Sequence, residues 1–141
     1  MQMDIKIIKR LIHYFHDGTI LDVAHAEDQA IFSLESSEIT DSRLLKKYSL
    51  SKCNTIRGKL HVTGICEILL NQKRFTGTLH NLRDVGNIFD LCFERRKVII
   101  FVDWYNHPPK QSEETDMFKY EITAKKIAWE HLPNLIDPFD H

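Results

Sequence analysis

Between Thr55 and Leu70 apolar and polar side chains alternate with few lapses. Ile56, Gly58, Leu60, Val62, Gly64, Cys66, Ile68 and Leu70 share one register, and Arg57, Lys59, His61, Thr63, Ile65, Glu67 and Leu69 the other. Alternation of period two is the mark of a strand with one face in a core. At about 3.3 Å per residue such a strand spans roughly 50 Å, longer than one flat face of a domain this size. The strand is therefore expected to bend, with Gly58 and Gly64 as the places where a missing Cβ permits a kink or a close approach. Cys66 falls on the inward register and is expected to pack there as a small apolar group.

The rest of the chain supplies partners for this strand. A chain of 141 residues fits one domain, residues 1–141, able to bury a core without a disulfide or metal staple. Ile5, Ile8, Leu11, Ile12 and Phe15 recur at helical intervals and predict an N-terminal helix over 4–15 with Asp4 as cap, although Ile5-Lys6-Ile7 also alternates as a strand would. A hairpin follows, with Leu21 and Val23 on one face, a turn at 26–28, then Ala30, Phe32 and Leu34 inward. Residues 36–54 read as a polar connection with one helical turn at 41–48.

Phe89, Leu91 and Phe93 form the inward set of another strand, which a charged turn at Arg95-Arg96 joins to the most apolar run, 97–105. That run is apolar on both faces and is expected in mid-sheet, covered on both sides. Asn106-His107-Pro108-Pro109 ends it, and the acidic loop 113–116 follows. In the last strand the apolar phase moves from Phe118, Tyr120, Ile122 and Ala124 to Ile127 and Trp129, as a bulge at Lys125-Lys126 would produce. Pro133 stops this strand, and Leu135, Ile136 and Phe139 form an apolar tail. The expected fold is mainly β (α+β): about six to seven antiparallel strands in a bent sheet, sandwich or partly open barrel, with one N-terminal helix.

Composition limits function more than it identifies it. A net charge of −1 gives no overall pull towards nucleic acid or anionic membrane, and no apolar run approaches the length of a membrane-spanning helix. Three cysteines without a C-x-x-C pair argue against a disulfide framework or a cysteine-rich zinc site, and with no leader pattern at Met1-Gln2-Met3 they lead to an expectation of the cytoplasm. Of eight histidines, only His13 and His16 share a helical spacing, so neither a metal site nor any cofactor is expected. No nucleophile elbow, H-E-x-x-H or glycine-rich phosphate loop is present, and catalytic residues are not assigned.

Two groups remain as candidate binding residues. Arg57, Lys59 and His61 share the outward face of the long strand, and Arg95, Arg96, Lys97, Lys125 and Lys126 add two further basic points. If these met beside exposed aromatic residues they would suit a single nucleic-acid strand, but a solvated face that protects strand edges is the plainer reading. Asp103, Trp104, Tyr105 and His107 place an acid, two aromatics and an imidazole at the end of the apolar strand, and Trp129 stands near the end of the last one. Each tryptophan suits an interface or the core.

The stretches Phe15-His16-Asp17-Gly18-Thr19-Ile20, Gly58-Lys59-Leu60-His61-Val62 and Ile127-Ala128-Trp129-Glu130 resemble small bacterial β-rich proteins of unknown function, some of which serve as immunity partners of secreted toxins. The resemblance implies a compact β scaffold that binds another protein, and carries over no catalytic residue. The expected function is a non-enzymatic protein-binding module, with self-association through a sheet edge as a further expectation. The alternative is a small-molecule barrel or an enzyme with a pocket near Asp103, Trp104 and His107.

Overall fold

The computed structural model describes residues 2–3, 5–106 and 116–135. Asp4, His107, Pro108, Pro109, the acidic loop 113–115, Ile136 and Phe139, for which the sequence raised expectations, lie outside the described residues.

The elements follow in the order β1 (Gln2–Met3), α1 (Ile5–Arg10), a 3-10 turn (Ile12–Phe15), β2 (Thr19–Ala26), β3 (Gln29–Glu35), α2 (Ser42–Lys47), β4 (Arg57–Leu70), β5 (Lys73–Arg74), β6 (Val85–Glu94), β7 (Lys97–Tyr105) and β8 (Asp116–His131). The helical period over 4–15 is realised as α1 and the 3-10 turn, which bury Ile8 and Phe15. Asp41 caps α2 by accepting the Arg43 backbone N–H.

Six long strands close an antiparallel barrel. β2-β3-β4 and β6-β7-β8 are two three-stranded meanders, joined on one side by the β4–β8 ladder and on the other by β2–β6. The ladder runs from Gly58 opposite His131 to Leu70 opposite Tyr120. The β2–β6 seam is short, with register pairs only at Thr19–Asn87 and Ile20–Gly86. Beyond it the Asn81 side chain accepts the Val23 N–H at 2.7 Å, and His25 Nδ1 accepts the Leu79 N–H at 2.9 Å, so loop 75–84 satisfies the free edge of β2.

A barrel of six strands is too narrow for anything but side chains. Phe32, Leu34, Leu60, Val62, Ile88, Val98, Ile100, Val102, Ile122 and both tryptophans are buried together, with Phe15 edge-on to Trp129 at 5.7 Å between ring centroids. The Trp104 indole N–H donates to the Tyr120 hydroxyl at 3.0 Å. Burial pushes the pKa of that phenol above its ordinary value.

Three expectations about inward registers are corrected, and all three have one cause. An extra residue enters β2 between Ile20 and Asp22, β6 between Ile88 and Asp90, and β4 between Ile65 and Glu67. The inserted residues are Leu21, Phe89 and Cys66, and each lies exposed where alternation places it inside. Ile20 and Ile88 take the core positions instead.

The phase slip on β8 is present, since Ala124 and Trp129 are buried while Lys125 and Lys126 are both exposed. The extra residue of the ladder, however, is Cys66 on β4. Opposite the slip stands Gly64 at φ +70°, and a Cβ there would meet the Lys125 side chain at 2.9 Å. β7 is central in the sheet order, but only Val98, Ile100, Val102 and Trp104 are fully buried, and Ile99 and Phe101 on its outer face are half-buried.

Gly58 packs directly against the Trp129 indole. A Cβ at this position would clash with the Glu130 carbonyl oxygen and stand 2.8 Å from the ring. Gly58→Ala is therefore expected to lower stability by about 1–3 kcal/mol, as overpacking does, measured as a shift in urea midpoint at unchanged slope.

Candidate functional site

The outward trio of β4 forms a face on which each basic side chain meets an acid. Arg57 lies 3.9 Å from Glu35 of β3, and His61 Nε2–H donates to Glu130 Oε1 of β8 at 2.8 Å. Lys59 is exposed directly opposite Glu130 in the ladder. Arg57 and Lys59 line a shallow groove of about 480 Å³ with Leu21, Asp22, Ser33 and Leu132. The trio is thus a charge-balanced surface, not a bare basic stripe.

The aromatic candidates divide. Trp104 and Trp129 are 0% and 1% exposed, which removes both from any binding surface; their rings are needed to fill the barrel. Tyr105 is half-buried at the end of β7, paired with Val85. Asp103 lies on the outer face between Asn87 and Met117, and its Oδ1 is buried without a hydrogen-bond partner among the described residues. With Trp104 in the core, Asp103 and Tyr105 are what the structure shows of the expected pocket near the end of β7.

The histidines are structural where their contacts are described. His25 accepts from Leu79 at Nδ1 and donates from Nε2 to the Glu27 carbonyl at 3.1 Å, and His131 donates to the Ser49 carbonyl at 2.5 Å. His16 bonds the Phe89 carbonyl and stands 3.7 Å from Asp17. Among the described residues no histidine ring bonds a hydroxyl or thiol, and no three His, Cys, Asp or Glu side chains are arranged to hold a metal ion. No helix among them is long and apolar enough to cross a membrane.

A different constellation assembles at the β6–β7 turn. Lys9 of α1, Arg95 and Arg96 of the turn and Lys125 of β8 line a notch of about 110 Å³. Its floor is apolar, made by Ile5, Phe93, Ala124 and Ile127. Against the roughly 30 Å³ share of one liquid water, the notch takes a single aliphatic side chain. A wider recess of about 640 Å³ adjoins it, bounded by Glu94, Arg95, Arg96, Lys97 and Thr123. Among the described residues Glu94 is the only carboxylate on either lining, and none of their acids is ion-paired with these five cations.

Arg95, Arg96, Lys97 and Lys125 are visible in the sequence as separate basic points, and the fold brings them together. Lys9 reads in the sequence only as the polar face of a helix. Nothing in the spacing of 9, 95 and 125 links them, because the link is the packing of α1 across β8. Arg57, Lys59 and His61 are not part of this cluster. Lys126 is exposed next to Lys125 and pairs with Thr63.

Comparison with protein-family models, with curated proteins and with solved structures found no match for this chain.

Two measurable consequences follow from these groups. The hydrogen bond from His61 holds the Glu130 carboxyl below the ordinary carboxylate range, with Lys59 adding a smaller effect in the same direction. A carboxyl lowered on folding stabilises fully above its unfolded value, near 4.3 for glutamate, and that share is lost as pH falls through the folded value. Wild type is thus expected to lose more stability than Glu130→Gln between pH 6 and pH 3 in paired denaturation curves; parallel pH profiles would refute this. Arg95 is held at φ +46°, a left-handed conformation that glycine adopts freely. Arg95→Gly should raise stability by about 0.5–1 kcal/mol in the same assay.

Proposed function

We propose that this protein is a non-enzymatic module that binds another protein through the notch between α1, the β6–β7 turn and β8. The observation that carries the reading is the convergence of Lys9, Arg95, Arg96 and Lys125 around an apolar floor, with Lys97 in the adjoining recess, and no acid among the described residues ion-paired with them. Protein interfaces combine an apolar centre with a polar rim, and arginine is enriched among residues that dominate binding energy. A net charge of −1 hides this local field, and a focused positive patch speeds encounter with an acidic partner.

An immunity partner of a toxin is one form such binding takes, in keeping with the resemblance of residues 15–20, 58–62 and 127–130. The free thiols, Cys53 and Cys66 exposed and Cys92 partly buried, support the cytoplasm as the compartment. The packed interior and the engagement of His25 and His131 with backbone groups favour binding over catalysis.

Purified protein used as bait in a lysate of its own host should retain one specific protein in stoichiometric amount. Arg95→Glu/Arg96→Glu, which changes only exposed turn residues, should lose it. Retention of nothing specific by wild type, or equal retention by the variant, would overturn the reading.

A further inference from the structure

We infer that an extended acidic segment of the partner adds as a short strand along the edge of β8 beside the notch, with one aliphatic side chain seated in the notch. This rests on the reading of the protein as a protein-binding module and specifies what the partner presents.

The edge arises from unequal strand lengths. β7 pairs with β8 only as far as Lys97 opposite Thr123, and β1 meets the same edge of β8 at Met3 opposite Trp129 and Gln2 opposite Glu130. Residues 124–128 of β8 therefore have no strand neighbour on that edge among the described residues; the Ala124 N–H donates there to the Arg96 carbonyl at 2.9 Å. At about 3.3 Å per residue this opening is about 16 Å long, enough for one short strand. On the opposite edge the same residues are paired with β4. An unpaired stretch in mid-strand is a template for strand addition, in which main-chain hydrogen bonds give affinity and alternate side chains give specificity.

The side chains along this opening select the occupant. Strand alternation lets one side chain of the added segment enter the notch, where Ile5, Phe93 and Ile127 offer half-buried apolar surface, and turns its immediate neighbours to the rim. The rim carries Lys9, Arg95, Arg96 and Lys125, so aspartate or glutamate belongs at those neighbouring positions. A nucleic-acid strand is disfavoured because base stacking needs exposed aromatic faces, and among the described residues the one aromatic lining the notch, Phe93, is half-buried in its floor while both tryptophans lie in the core. Arg95 keeps a side chain at a backbone angle that favours glycine, and strain of this kind persists where the residue has a task.

The test uses fluorescence anisotropy with a short labelled peptide of alternating glutamate and valine. Wild type should bind it, with affinity falling about tenfold or more in Lys125→Glu and in Arg95→Glu/Arg96→Glu, and falling as salt rises. N-methylation of alternate peptide amides should abolish binding, because it removes main-chain donors and leaves charge intact. Amide shifts in the NMR spectrum should concentrate on residues 124–128. Arg95→Gly, which keeps the fold, should bind more weakly while melting no lower than wild type.

Equal binding of the N-methylated peptide overturns strand addition. So does tighter binding of an oligothymidine strand or of phosphatidylserine vesicles, or peptide binding only to a dimer seen by light scattering. If the peptide fails while wild type still retains a lysate protein that Arg95→Glu/Arg96→Glu loses, strand addition falls and the protein-binding reading stands. If both fail, the reading itself falls.

Discussion

The β4–β8 ladder is the interaction on which the rest of the structure depends. It joins two meanders that otherwise touch only through the short β2–β6 seam, and it turns two curved ribbons into one closed barrel. Closing six strands demands strong curvature, and the ladder accommodates it by placing Gly64 at φ +70° against Lys125 and by inserting Cys66. Gly58 at the other end lets the Trp129 ring lie directly on the backbone of β4. The weaker seam is completed by side chains of Asn81 and His25, which replace ladder bonds that β6 does not supply.

The same ladder creates the notch. β8 runs sixteen residues and β7 nine, so β8 outlasts its neighbour and exposes an edge that β1 reaches only near the end. α1 follows β1 and lies against β8, bringing Ile5 and Lys9 alongside the β6–β7 turn. Concentrated charge at this place is therefore a consequence of strand length and chain route. It contrasts with the outer face of β3, β4 and β8, where Arg57 and His61 meet Glu35 and Glu130 across the sheet.

Two surfaces with similar basic composition thus have different chemistry. On the β4 face opposite charges sit side by side and largely cancel, as suits an exposed sheet that must stay soluble. In the notch the cations have apolar groups beneath them, and among the described residues Glu94 of the adjoining recess is the one carboxylate nearby. Of the two, the second arrangement combines a concentrated positive field with room to bury a side chain.

Residues 55–70 by themselves determined a long bent strand, and alternation along 30–34, 98–104 and 120–124 determined the inward faces that meet it, because period two is a local property of the chain. The mainly β class, the turn at Arg95-Arg96 and the phase slip at Lys125-Lys126 were legible for the same reason. What local pattern cannot carry is the position of an inserted residue. Leu21, Phe89 and Cys66 are apolar residues in apparent register, and only pairing with a neighbouring strand shows that each is the extra one. The notch lay beyond the sequence on the same ground, since Lys9, Arg95 and Lys125 are far apart in the chain and become neighbours only when β8 closes the barrel and α1 packs across it.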